Sequence, residues 1–407
     1  MAQTRPIPEH AGELTAAWLT ESLRSAGVIS TSAVEGFESR TLGEGEGFLG
    51  DLARLSLRYD PPEDGAPATL IAKFPTAQRD NRAAADLFQA YDREIRFYDE
   101  LADDVPVRKP RLYFSDMDPE PRGAGAVRKL LTLLPARLAL RLIDPLSRAG
   151  RPRRYVLLLE DMAPARVGDQ VAGSSLEDTE LALRNLAAIH ARFWNDPRID
   201  SIDWIAPVNQ DARIAQAMFE QALPSFRKEY AALLPPRAHE IGEWLLSHGI
   251  EVMDRLAQPP WTLLHGDYRP DNLFFGDGNP DGDGDGGRGG GNDFSLCVID
   301  WQLVAQGSPL YDVAYFILWS VNPEHHGEID RLLRMYHATL IEHGVRDYPF
   351  ERVERDYVLA QLLIQHRGIL IVGQLDLSHE RGQQLVHATL KRTATNLPMQ
   401  DLDTVLD

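Results

Sequence analysis

The run Leu263-Leu264-His265-Gly266-Asp267-Tyr268-Arg269-Pro270-Asp271-Asn272-Leu273-Phe274-Phe275 sets a carboxylate and an amide between two apolar stretches. A further apolar stretch, Leu296 to Ile299, ends in Asp300-Trp301-Gln302. An Asp and an Asn on a loop between short strands, followed by an Asp closing the next strand, suit phosphoryl transfer, where positioning and charge neutralisation supply most of the acceleration. Asp267 would accept or orient the proton of a substrate hydroxyl. Asn272 and Asp300 offer the hard oxygen ligands that Mg²⁺ prefers. His265 reads as a brace of the loop rather than a reacting group. Taken singly these residues mean little, because an Asp-Asn pair in a loop is usually a turn.

Chemistry of this kind needs three further parts upstream: a glycine-rich turn over phosphates, a strand lysine beyond it, and an acid on the next helix. Gly43, Gly45, Gly47 and Gly50, then Lys73, then Glu94 occur in that order. The glycine run is equally compatible with a plain hairpin. Lys73 is more telling. It lies in the apolar run Thr69 to Phe74, where an unpaired ammonium is costly, and it is one of only five lysines among 42 basic residues. Glu94 has competitors for the acidic role in Asp92 and Asp99.

Together these motifs resemble the aminoglycoside phosphotransferase/choline kinase group of small-molecule kinases. His265-Gly266-Asp267 with Asn272, then Ile299-Asp300-Trp301, carries the resemblance. Trp301-Gln302 followed by Gly307-Ser-Pro-Leu-Tyr-Asp312-Val-Ala-Tyr315-Phe316 is closest to the ecdysteroid-kinase-like (CHK) branch. The resemblance implies an α+β, protein-kinase-like bilobal fold, with a small β-rich N-lobe over residues 1–162 and a larger, mostly helical C-lobe over 163–407. It implies ATP and Mg²⁺ as cofactors. Gly45 and Gly47 would cover the nucleotide, Lys73 would meet its phosphates and be held by Glu94, and Glu160 to Met162 would be the hinge that meets adenine. Asp267 would be the catalytic Asp, and Asn272 and Asp300 the metal ligands. Arg269 falls where it either reaches the transferring phosphate or remains a surface residue. His190 reads as core packing and Asp312 as a loop-bracing acid.

The elements that must position these groups follow from periodicity. A helix is predicted over 15–26, with Thr15 as its cap and Gly27 as its stop. Strands are predicted at 53–59, 69–74 and 155–160. A helix over 81–102 would bury Leu87, Tyr91, Ile95, Tyr98 and Leu101. The rest is helical, near 176–194 (Ser174 and Glu177 offering a capping box), 210–233, 237–257, 309–320, 327–343, 350–372 and 379–395, with short strands at 262–265, 272–275 and 295–299. Two segments interrupt the pattern. Residues 277–293 are a Gly/Asp-rich loop whose Asp281-x-Asp283-x-Asp285-Gly286 starts like a calcium loop but has Asn292 where a bidentate Glu belongs. Residues 127–154 are basic and leucine-rich. They read as an insertion helix on the first lobe, or as an interfacial helix touching a membrane surface, with Pro135 and Pro145 limiting any helix to about ten residues.

Composition narrows the partners. The 407 residues carry 42 Lys plus Arg against 61 Asp plus Glu, a formal charge of −19. That argues against sequence-independent nucleic-acid binding, which needs a basic footprint. One cysteine, Cys297, permits no internal disulfide and fits a cytoplasmic protein. No apolar run spans a bilayer. The expected substrate is a small-molecule hydroxyl. Trp204, Phe219, Phe226, Tyr315, Trp319 and Tyr336 would line an apolar acceptor cleft unless they are ordinary core. An apolar cleft suits a steroid-like, hydroxyacyl or macrolide-like alcohol; an aminoglycoside, or nucleotide binding without turnover, is the alternative.

Overall fold

The computed structural model describes residues 6–42, 50–78, 81–82, 85–86, 89–149, 152–277, 294–374 and 380–406. Gly43, Gly45, Gly47, Leu87 and the calcium-like stretch 281–292 lie outside those residues. The chain divides into two compact units. One comprises Met1–Asp99, Pro110–Leu130 and Leu142–Ala163; the other comprises Glu100–Lys109, Leu131–Arg141 and Pro164–Asp407.

The first unit is built on five antiparallel strands: β1 (Ala33–Leu42), β2 (Gly50–Asp60), β3 (Thr69–Pro75), β4 (Leu112–Met117) and β5 (Tyr155–Glu160), in the order β1-β2-β3-β5-β4. Strand periodicity explains its two faces. Leu70, Ala72 and Phe74 of β3 join Leu55, Leu57, Val156 and Leu158 in one core, sealed by Trp18, Leu19 and Leu23 of the helix Ala16–Ser25. Thr15 caps that helix by accepting from the Trp18 amide at 3.1 Å, and Gly27 ends it at φ 68°. The opposite face carries Tyr155, Leu157 and Leu159, covered by Tyr91 and Ile95 of the helix Ala90–Glu100. Tyr91 stacks on Tyr155 at 4.2 Å.

Three expectations need correction here. The helix predicted from residue 81 is not continuous. Gln89 adopts the left-handed φ of 54°, which an α-helix does not accommodate, and the regular helix starts at Ala90. Tyr98 is half-buried, whereas Phe97 is fully buried. Pro145 does not limit its helix, which runs from Ala136 to Ala149. The proline is exposed in the last third of the helix, and the carbonyl it orphans belongs to Arg141, itself an exposed residue.

The second unit is helical with two three-stranded sheets. β6 (Arg166–Val167), β9 (Leu273–Phe275) and β10 (Leu296–Val298) run in the order β10-β9-β6; β7 (Ala206–Pro207), β8 (Thr262–Leu264) and β11 (Ala305–Gly307) run in the order β7-β11-β8. Its helices are Leu176–Arg192, Ala212–Glu229, Pro236–Leu256, Leu310–Ser320, Ile329–Glu342, Phe350–Gln374 and Glu380–Ala394, together with the four-residue turn Pro197–Asp200. The cap of the first of these is Ser175, which accepts from the Asp178 amide at 3.1 Å. Ser174 instead accepts from the Thr179 hydroxyl.

Candidate active site

Lys73 sits on the face of β3 opposite Leu70, Ala72 and Phe74, and so points at the helix Ala90–Glu100. On that helix Glu94 is three residues from Tyr91 and shares its inward face. The Lys73 ammonium lies 2.9 and 2.7 Å from the two Glu94 oxygens, and both side chains are buried. The competition among acids is resolved by geometry. Asp92 takes Arg153 in a two-pronged ion pair, at 2.6 and 2.9 Å, while Asp99 is exposed. Gly50, the last glycine of the upstream run, leaves room for the lysine stem. A Cβ there would lie 3.3 Å from Lys73 Cε and 3.2 Å from the Phe74 carbonyl oxygen. Glu160 ends β5 with its carboxylate accepting from the Arg111 amide at 2.9 Å, and Met162 beyond it is buried.

In the second unit the loop between β8 and β9 is held from beneath. Asp312, fully buried on the helix Leu310–Ser320, accepts from the amides of His265 (2.7 Å) and Gly266 (3.0 Å). His190 Nε2 approaches the same carboxylate at 3.4 Å, and its Nδ1 meets the Tyr336 hydroxyl at 2.7 Å. Burial holds the His190 imidazole below its ordinary value, although Asp312 pulls the other way. Gly266 has φ 80°, and a Cβ there would lie 2.1 Å from the Leu303 carbonyl oxygen, so only glycine serves. His265 Nε2 lies 2.9 Å from the Ile299 carbonyl oxygen, and its Nδ1 accepts from the Asp267 amide. Its ring is flanked by Tyr268 and Trp301. Both histidines are therefore structural braces.

Asp267, at 8 % exposure, is surrounded by donors. Oδ2 accepts from Asn272 Nδ2 (3.0 Å) and Arg269 Nε (3.2 Å); Oδ1 accepts from the Tyr315 hydroxyl (2.5 Å). Asn272 Nδ2 also donates to the Asp267 carbonyl at 2.9 Å, which turns the amide oxygen away. That oxygen accepts from no described residue. Asp300 closes the strand in the left-handed region, φ 65° and ψ 63°, a conformation that a non-glycine residue adopts only when its surroundings impose it. Its carboxylate accepts from Gln302 Nε2 at 3.3 Å. Arg269 also reaches Gln170 Oε1 and Asp271 Oδ2, each at 3.2 Å. Burial opposes its charge, yet Asp267, Tyr315, Asp271 and Asp300 hold the guanidinium above its ordinary value.

The six aromatics expected to line a cleft are all buried. Phe219 stacks on His366, Tyr336 is tied to His190, and the Trp204 indole donates to Glu100. Tyr315 stands apart, because its hydroxyl lands on Asp267. Motif reading had no hold on that contact, since Tyr315 lies 48 residues from Asp267 on a wholly apolar stretch of helix. The same holds for Arg381, which pairs with both Asp169 and Asp271.

A sheet unit whose strand lysine pairs with a helix glutamate, and a mostly helical unit carrying the Asp267/Asn272/Asp300 group, define the protein-kinase-like fold of small-molecule kinases, phosphotransferases with a hydroxyl acceptor. The chain belongs to the ecdysteroid kinase-like family, whose model matches residues 44–346. Among solved structures, the GDP and kanamycin complex of APH(2")-IIia is similar in fold at 13 % identity and a TM-score of 0.50, over 93 % of this chain and 98 % of that one. A Plasmodium vivax ethanolamine kinase shares 12 % identity at a TM-score of 0.47, over 89 % of this chain and 82 % of its own. Macrolide 2'-phosphotransferase type I shares 13 % at 0.45, over 94 % and 98 %. No curated protein matches the chain by sequence.

Proposed function

We propose that this protein transfers the γ-phosphate of ATP, with Mg²⁺, to a hydroxyl of a small molecule of apolar character: a steroid-like, hydroxyacyl or macrolide-like alcohol. The observation that carries this reading is the carboxylate of Asp267, held by three side-chain donors and fixed beside an Asn272 amide whose oxygen is left for a ligand. In this reading Asp267 takes or orients the acceptor proton. Asn272 Oδ1 and the Asp300 carboxylate would hold Mg²⁺, and their hard-oxygen chemistry fits it. The metal, when bound, neutralises phosphate charge. Lys73, kept in place by Glu94, would neutralise phosphates. The backbones of Glu160 and Met162 would meet adenine, and Gly45 and Gly47 would cover the phosphates. Arg269 would hold Asp267 in register and face the transferring group. The division of labour would be 1–162 for the nucleotide and 163–407 for the catalytic loop and acceptor.

Cys297, the one cysteine, is buried and has no second cysteine in the sequence to form a disulfide with, which supports a cytoplasmic setting. Among the described residues no helix is long and apolar enough to cross a membrane. Exposed Val127, Leu130, Leu133, Leu138 and Leu142, interleaved with Lys129, Arg137 and Arg141, suit reversible contact with an anionic bilayer surface. That property is separable from catalysis.

The test is a thermal-shift and product screen of the full chain with Mg·ATP against hydroxylated lipids, steroids and aminocyclitols. A phosphorylated apolar alcohol, formed only with Mg²⁺, is the expected result. An aminocyclitol product would select the aminoglycoside reading. ATP binding without metal-dependent transfer would leave a nucleotide-binding protein without turnover.

A further inference from the structure

The donors around Asp267 can be counted against what its carboxylate accepts. Each carboxylate oxygen has two lone-pair positions. On Oδ2 both are taken, by Asn272 Nδ2 and Arg269 Nε. On Oδ1 one is taken, by the Tyr315 hydroxyl at 2.5 Å. Among the described residues nothing else reaches this carboxylate. One acceptor position therefore remains on it, and it lies on the oxygen that Tyr315 holds. The Tyr315 oxygen gives its single proton to Asp267 and accepts from no described residue, so it too has lone pairs to offer.

We propose that Tyr315 is a positioning residue of the reaction, and that its hydroxyl and the open position on Asp267 Oδ1 mark where the acceptor hydroxyl binds. The inference rests on the kinase reading and deepens it. An acceptor O–H arriving there donates to Oδ1 and stands against the phenol oxygen. Tyr315 is suited to hold rather than to react. Burial, then the neighbouring Asp267, raises its phenol well above the ordinary value, so it keeps its proton and stays a donor. Its ring is wedged by neighbours four residues away on the same helix, Trp319 at 4.3 Å and Tyr311 at 6.3 Å. Trp319 is fixed in turn, because a Cβ at Gly368 would lie 3.1 Å from its ring. The row Tyr311, Tyr315, Trp319 makes the side of the helix that reaches Asp267 aromatic. The acceptor presents an apolar flank to it while its hydroxyl faces the carboxylate.

The test compares wild type, Tyr315→Phe and Tyr315→Leu with Mg·ATP and the library alcohol that the wild type phosphorylates. Tyr315→Phe keeps the ring and should lower kcat on the order of 10- to 100-fold, the range of a lost group that orients a catalytic base. The ATP KM and the melting temperature should stay put. Tyr315→Leu removes the aromatic ring as well and should also raise the acceptor KM several-fold. A Tyr315→Phe enzyme with wild-type kcat overturns this proposal and leaves the kinase reading standing. So does a loss confined to the melting temperature, with kcat per folded molecule unchanged. If the wild type phosphorylates nothing in the library, the kinase reading falls, and this inference with it.

Discussion

Two interior regions of the helical unit treat buried polar groups in opposite ways. Under the catalytic loop, Asp312 accepts from two backbone amides and meets His190, which meets Tyr336. Among the helices Ala212–Glu229, Pro236–Leu256 and Phe350–Gln374, His366 is fully buried, stacked on Phe219 at 4.4 Å, with no hydrogen-bond partner among the described residues on either ring nitrogen. Gln216 nearby donates to the Leu245 and Leu246 carbonyls, yet its own carbonyl oxygen has no partner among the described residues. A satisfied network fixes one geometry, whereas an unsatisfied group only costs free energy. The difference marks the first region as the place where precise positioning matters.

Substitutions that exchange these characters sharpen the contrast. Asp312→Ala strips two amides and an imidazole of their acceptor, and should destabilise the fold by about 3–5 kcal/mol. Chemical denaturation would read it, and a cost below about 1 kcal/mol would dissolve the distinction. His366→Phe should cost far less at pH 7, within about 1 kcal/mol, because no hydrogen bond is lost.

Its signature lies in the pH dependence. Burial lowers the His366 imidazole to about 3 in the folded chain, against 6.5 when exposed. Below pH 6.5 the unfolded chain binds a proton that the folded chain refuses. The wild type therefore loses stability as pH falls from 6.5 towards 3, by at most about 1.4 kcal/mol per pH unit from this group. The Phe variant should lack that component of the slope, and identical slopes in both proteins would contradict the burial account.

Smallest of all is the expected effect of Leu130→Ser with Leu133→Ser. These side chains are 58 % and 71 % exposed, and the melting temperature should move by no more than about 1 °C. Sedimentation with anionic vesicles should fall in the same variant. Unchanged vesicle binding would remove the bilayer from the account of this segment.

The same contrast explains what was legible in the sequence. Lys73 stood out because charge inside an apolar run is expensive and invites a reason, Glu94 by its place on the helix that follows, and Asp267, Asn272 and Asp300 by their spacing between short strands. Central strands and amphipathic helices announced themselves by periodicity. The two edge strands of the first sheet did not. β1 carries Glu35, Glu38 and Arg40 with little alternation, and β4 is half-buried along its whole length, because an edge has only one neighbour to satisfy. Pairings across long sequence separations were equally hidden: Tyr315 with Asp267, Arg381 with Asp271, and the four-membered arrangement of Tyr336, His190, Asp312 and the loop. No local pattern encodes them, because tertiary packing alone creates them. Pro145 misled through the opposite fault, a strong local rule relaxed by an exposed position.

The most direct measurement of the central claim is Mg²⁺-dependent phosphoryl transfer to the library alcohol by wild type and Asp267→Asn, at matched nucleotide occupancy. Asn keeps the shape and part of the hydrogen bonding of Asp267 but cannot take a proton. The account predicts unchanged Mg·ATP binding and folding, with kcat lower by about 10²–10⁴-fold. An Asp267→Asn protein that phosphorylates the same alcohol at the wild-type rate would contradict it.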